Sequence, residues 1–140
     1  MSSTLSNANF PGHDFGAGQC IDGVTNNDNG WNFCISNLNV PDPWLSVALP
    51  ASSTVSSVVV HNREDCCQRF LGTFEVWVGN AAGLPTSATA TQCGTLTAPA
   101  TVGPFTVTCS SPLSGSVVTL LLPGTRRGII LAEVTAYGST

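Results

Sequence analysis

The sequence predicts an all-β domain, a sandwich or barrel of short strands held by disulfides. Three observations carry that expectation. Runs of five to nine residues are rich in β-branched side chains, and clusters containing Pro and Gly separate them. No window of about 11 residues or more repeats with a helical period. A length of 140 residues fits a single domain spanning 1–140, with a modest core.

The residues from Asn7 to Asn39 are loop-like and dense in Asn, Asp and Gly. So long a loop in a compact domain is functional, or is pinned by something other than a core. The candidate strands follow: Trp44 to Leu49, Val55 to Asn62, Thr73 to Gly79, Phe105 to Cys109, Ser116 to Leu122, and Gly128 to Ala136. Within Thr73 to Gly79, strand alternation puts Phe74, Val76 and Val78 on one face, with Glu75 and Trp77 on the other. Pro41-Asp42-Pro43, Gly79-Asn80, Gly83 to Pro85, Ala98-Pro99 and Pro123-Gly124 punctuate the gaps.

Composition excludes several classes of function. A formal charge of -4 and a pI near 4.7 oppose nucleic-acid binding, which needs a basic face. No apolar run reaches the roughly 20 residues of a membrane helix. All four basic residues are arginines, Arg63, Arg69, Arg126 and Arg127, which favours forked hydrogen bonding over diffuse charge. Six cysteines in a polar chain imply an oxidising, extracellular or cell-surface setting. The first residues do not read as a secretory leader, so a leader or flanking domains missing from this sequence are expected.

Adjacent cysteines seldom act as ordinary staples, because bridging them closes a strained ring. In Arg63-Glu64-Asp65-Cys66-Cys67 they stand behind an arginine and an acid. Asp65 can orient the Arg63 fork while the Cys66–Cys67 shelf packs on a sugar ring. Alternatively, Arg63 and Asp65 form a surface ion pair of little worth, and the cysteines pair elsewhere. Of the 15 pairings that six cysteines allow, the expected set is Cys20–Cys34, Cys66–Cys67 and Cys93–Cys109, each closing a short loop.

Two further acids suggest a metal. Asp22 lies in an Asn-, Asp- and Gly-rich segment suited to calcium, which takes six to eight oxygens, many from backbone. Glu133 sits in the most apolar strand, where a carboxylate needs a partner or a metal. Otherwise it marks a solvated strand end or pairs with Arg126 or Arg127. Catalysis has little support. His13 and His61 lack companions for nucleophilic work, and no two acids can be placed together for glycoside hydrolysis.

Ile21-Asp22-Gly23, Pro43-Trp44, Asn62-Arg63-x-Asp65-Cys66-Cys67, the 16-residue step from Cys93 to Cys109, and Glu133-Val134 resemble, in order, the F-type lectins. The similarity to this fucose-binding family runs from about Gln19 to Gly138. It implies a jelly-roll-like β-sandwich of the galactose-binding-domain type, disulfide-stabilised, with a structural calcium and a fucose site in loops at one end. Carried over by position, Asp22 and Glu133 are carboxylate ligands, and Gln19 and Val24 are carbonyl ligands. Phe33 replaces a hydroxyl-bearing ligand, leaving only its carbonyl.

In the implied sugar site Arg63 and Asp65 match. Ser36 stands where the family has histidine, and Phe70 where it has a second basic residue. Arg69 is displaced by one position, facing away if the segment is extended and within reach if it is a loop. Trp31 either stacks on the sugar or packs into the sandwich. The family cysteine before Glu133 is Ala132 here, and Cys20 supplies the alternative partner for Cys34.

The expectation is therefore a calcium-stabilised lectin module for terminal L-fucose or a related sugar, with an atypical pocket. Its partner is a glycan, bound weakly per site and multivalently through oligomers or tandem domains. A module that keeps the fold but docks onto protein is the rival, and a hydrolase the third option.

Overall fold

The computed structural model describes residues 1–6, 8, 12–25 and 32–139. Eight strands are seen among them: β1 (Cys34–Ile35), β2 (Trp44–Ala48), β3 (Thr54–Asn62), β4 (Thr73–Gly79), β5 (Ala90–Thr97), β6 (Phe105–Ser114), β7 (Val117–Leu121) and β8 (Ile130–Ser139). They form two four-stranded antiparallel sheets, ordered β1-β8-β3-β6 and β2-β7-β4-β5. The predicted β-sandwich is thus observed. Among the described residues no helix is long and apolar enough to cross a membrane.

Alternation explains the core. Phe74, Val76 and Val78 of β4 are buried, while Glu75 and Trp77 face outward and share a hydrogen bond of 2.9 Å from Trp77 Nε1 to Glu75 Oε1. On β3 the buried valines are Val55, Val58 and Val60, whose spacing changes parity. A register irregularity between Val55 and Ser57 absorbs the extra residue, so both parts of the strand keep their valines inward.

Two strands were not foreseen from sequence. β5 contributes Cys93 as its one buried residue and is otherwise polar, as an edge strand can be. β1 has only two residues and exists because it pairs with Leu131 and Ile130 of β8. β6 runs on to Ser114 through Pro112, which an edge position tolerates.

The three disulfides are those expected. Cys93–Cys109 ties β5 to β6, the outer strands of opposite sheets. Cys20–Cys34 fastens the N-terminal arm to β1. The arm also carries a small apolar cluster of its own, in which Phe15 and Phe33 pack with Ile35 and Ile130. The 3-10 turn Ala17–Cys20 packs on β8, so Ile130 to Val134 are buried in succession.

Arg127 does not pair with Glu133, the alternative open from sequence. Its guanidinium donates to the carbonyls of Pro123 at 2.6 Å, Leu71 at 2.5 Å and Thr73 at 2.9 Å. This joins the β7–β8 connection to the start of β4. Replacing Arg127 by Met leaves these carbonyls without their donor, an expected loss of about 2 kcal/mol. The exposed neighbour changed as Arg126→Met should cost under about 0.5 kcal/mol. Urea unfolding of both variants checks the contrast, and equal losses would contradict it.

Candidate functional site

The loop leaving β3 is closed from beneath. Asn62, fully buried, donates from Nδ2 to Gln68 O and to Thr101 O, each at 3.1 Å, and its N–H bonds Val102 O. Gln68 Nε2 in turn donates to Arg63 O at 2.8 Å and Glu64 O at 3.0 Å. The carbonyls of Arg63, Glu64 and Gln68 are thereby satisfied from within the loop. Cys66 and Cys67 are disulfide-bonded with Cα atoms 3.7 Å apart. Cys67 has φ 71°, a left-handed conformation uncommon for a residue with a side chain. It leads directly into the 3-10 turn Gln68–Phe70.

Asp65 holds Arg63 by two parallel bonds, Nε to Oδ1 at 2.6 Å and Nη2 to Oδ2 at 2.9 Å. The guanidinium lies over the Phe33 ring, 3.9 Å from its centroid, and Phe33 stacks on Phe15 at 6.1 Å. The bond from Arg63 keeps the Asp65 carboxyl below its ordinary range. The pair fixes the direction of the fork; Asp65 is too exposed for it to add much stability.

A cavity of about 380 Å³ opens beside this pair. Its lining includes Arg63, Cys67, Arg69, Phe70 and Phe33, with aliphatic side chains from the N-terminal arm and β8. Arg69 reaches it because the segment is a 3-10 turn and not an extended strand. Its guanidinium lies 4.7 Å from the centroid of the Phe70 ring. Sequence reasoning missed Phe15, Leu5, Ile35, Leu38 and Ile130, which line the same cavity. The arm residues gave no signal because the arm carries no strand period, and Ile130 of β8 reads from sequence as core.

Two of the expected site residues need correction or qualification. Ser36 is fully buried and holds backbone: its hydroxyl donates to Asn37 O at 2.9 Å and accepts from Ile129 N–H at 2.8 Å. It has no surface for a ligand. Phe33, expected to offer its backbone carbonyl to a metal, also presents its ring to the cavity. Trp31 lies outside the described residues.

On the arm side of β8, Glu133 is buried, with Oε2 accepting the Gly23 N–H at 2.8 Å. Asp22 Oδ1 accepts the Val24 N–H at 2.9 Å. Burial, and a hydrogen bond with the neighbouring Asp22 carboxyl, push Glu133 up to about 7. Gln19, in the preceding 3-10 turn, directs its side chain toward Asp14. Two facing carboxylates without a basic partner are a donor set for a hard cation. Among the described residues no cluster of three or more His, Cys, Asp or Glu side chains forms. An ion here would therefore draw its other oxygens from backbone or water, as calcium commonly does.

The sequence matches the NedA-like, galactose-binding domain family over residues 19–120. Fucolectin-5 and Fucolectin-1 of Anguilla japonica are each 32% identical over 111 residues, or 77% of this chain. The chain spans only 57% and 60% of their respective lengths. A solved f-lectin (fucolectin) from Morone saxatilis serum superposes with a TM-score of 0.80 and 28% identity, covering 98% of this chain and 45% of that one. The lectin domain of lectinolysin, solved with Lewis B antigen, superposes with a TM-score of 0.75, covering 99% and 90% of the two chains; at 21% identity it speaks for the fold alone. By this match, and by the fucolectin likeness that its Arg-x-Asp-Cys-Cys loop implied, the chain belongs to the NedA-like, galactose-binding domain family as an F-type-lectin-like member.

Proposed function

We propose that this chain is an extracellular carbohydrate-binding module for a terminal fucose or closely related sugar, acting without chemistry on its ligand. The observation that carries the reading is the Arg63 fork, fixed by Asp65 over Phe33 at the mouth of an apolar cavity floored in part by the Cys66–Cys67 segment. An oriented donor beside a rigid apolar ledge grips hydroxyls and the apolar face of one ring. The fucolectin relatives and the serum source of the striped bass protein support both sugar class and setting.

Ser36 takes no part, so the family's histidine contact has no counterpart there. Losing one charge-assisted bond weakens binding by about ten- to a hundredfold. Useful avidity would then come from several sites joined in an oligomer or in tandem. A glycan array with multivalent presentation, followed by titration of L-fucose, tests the assignment. Arg63→Ala should abolish binding, and silence toward every fucosylated glycan at high valency would reject it. The apolar lining favours one rival, docking of a protein segment in place of sugar. NMR shifts in the Arg63 loop on adding fucose distinguish the lectin from that adhesive module.

Asp65 also sets a pH dependence. Its folded pKa is depressed, so the Arg63 pair is fully present above the unfolded value of about 3.9 and is lost as pH falls through the lower folded value. Sugar affinity should hold from about pH 7.5 to pH 5. Asp65→Asn should lower it about tenfold throughout that range.

We further propose that Asp22 and Glu133 hold a structural calcium, with carbonyls from the segments around Gln19, Val24 and Phe33 completing its shell. Bound there, the ion neutralises the buried Glu133 carboxylate and the exposed Asp22 carboxylate beside it. At a hundredfold its Kd it adds about 2.7 kcal/mol, or roughly 10 °C in Tm for a domain of this size. Glu133→Gln should remove most of that rise without lowering the metal-free Tm. Identical melting in calcium and in chelator would dismiss the ion.

A further inference from the structure

The end of the sandwich opposite the Arg63 loop has a cavity of its own, of about 260 Å³. β3 starts at this end and leads into the Arg63 loop at the other, so its nine residues set the two places roughly 25 Å apart. Thr54 opens β3, and Tyr137 and Ser139 lie in the last turns of the β8 ladder, where the register pairs Thr54 with Ser139 and Ser57 with Tyr137. Leu49 and Pro50 close the cavity from the β2–β3 connection.

That connection is set before any ligand arrives. The buried Ser53 hydroxyl donates to Pro50 O at 2.5 Å, and Ser53 O accepts the Gly115 N–H at 2.9 Å. Gly138 lines the cavity between the two strands, and a Cβ there would collide with the Thr54 carbonyl. β3 and β8 therefore meet at this point as bare backbone, which fixes the floor.

The lining is neutral. Among the described residues no acidic or basic side chain contributes to it. Its polar side chains are hydroxyls. Ser53 spends its own on Pro50, while among the described residues those of Thr54, Tyr137 and Ser139 make no hydrogen bond. A hydroxyl donates and accepts, as does each hydroxyl of a neutral sugar. A charged ligand finds no counter-charge here to offset its lost hydration. The Tyr137 ring is 55% exposed and, with Leu49 and Pro50, gives the apolar surface against which the face of a ring packs. A volume just under the range of about 300–1,000 Å³ for small-molecule sites suits one ring.

We infer that this cavity is a second binding site, holding one ring of a neutral saccharide against Tyr137, so that a single domain carries two glycans at opposite ends. The inference goes beyond the reading of the Arg63 loop and does not rest on it. Two sites so placed face in opposite directions and bridge separate glycans, which an added copy of the Arg63 site on the same face does not do.

Titration of the 15N-labelled chain followed by NMR tests it, with methyl α-L-fucoside, methyl β-D-galactoside and N-acetyl-D-glucosamine each taken to about 50 mM, enough to fill a site of millimolar Kd. At least one sugar should shift the amides of Thr54, Tyr137 and Ser139 on a saturating curve, and Arg63→Ala should leave that curve unchanged. Tyr137→Ala, at an exposed position, should weaken the response about tenfold. Thr54→Val, which keeps the β-branched shape and removes the hydroxyl, should weaken it about threefold. Unchanged amide positions in the rest of the spectrum show that either variant keeps its fold.

Silence of these residues toward all three sugars overturns the inference, whatever the Arg63 loop does. An unchanged response in Tyr137→Ala overturns it too. Glycerol acting at the same concentration as the sugars overturns it by showing a surface for any polyol. Shifts at Thr54, Tyr137 and Ser139 with none in the Arg63 loop support it while rejecting the loop as the sugar site.

Discussion

The site depends on how the N-terminal arm is fastened. The arm has no long strand and joins the main core chiefly through Cys20 and Cys34, yet it supplies Phe15 and Phe33, on which Arg63 rests. What holds it is the Cys20–Cys34 disulfide, the two-residue β1 pairing with β8, and a few backbone bonds, such as Ile35 N–H to Phe15 O. A cross-link closing about 15 residues restrains the unfolded chain by about 3 kcal/mol in the entropic account. Two residues of β-pairing contribute far less. The covalent tie therefore fixes the arm's own fold, and the β1–β8 pairing together with burial of both cysteines in the core fastens it to the sandwich.

Arg63 and Asp65 illustrate how an exposed ion pair can matter without stabilising. In water such a pair is worth up to about 1 kcal/mol. Here it selects one direction for a fork that would otherwise sample many rotamers. The Phe33 ring beneath and the bidentate geometry remove that freedom before a ligand arrives, which lowers the ordering cost of binding. The loop backbone is fixed by the same logic, through Asn62 and Gln68.

The sandwich was legible because its inner strands alternate, as β4 does with Phe74, Val76 and Val78. The Arg63 loop was legible because adjacent cysteines beside an arginine and an acid have few ordinary uses. β5 was hidden: an edge strand buries one residue, and its hydroxyl-rich sequence reads as loop. Ser36 was misjudged for a different reason. A position matched to a relative fixes a place on the chain, not the direction of the side chain. That direction is set by packing across the arm, a long-range contact that no local pattern encodes. The reach of Arg69 turned on whether three residues form a helical turn or a strand, and so few residues carry no measurable period.

The same cross-link bears on both candidate sites. Cys20 and Cys34 bracket the segment that contains Asp22 near one end and Phe33 at the other. Asp22 faces Glu133 of β8, while Phe33 lies under Arg63 from the end of β3. β3 and β8 are themselves neighbours, with His61 opposite Glu133 and Asn62 opposite Leu131. The carboxylate pair and the guanidinium fork therefore meet at one end of one strand pair, joined by a loop whose two ends are covalently tied. The ion proposed at the carboxylates would remove their mutual repulsion within the same covalently closed segment that supplies Phe33, so the two proposed sites draw on one stretch of chain.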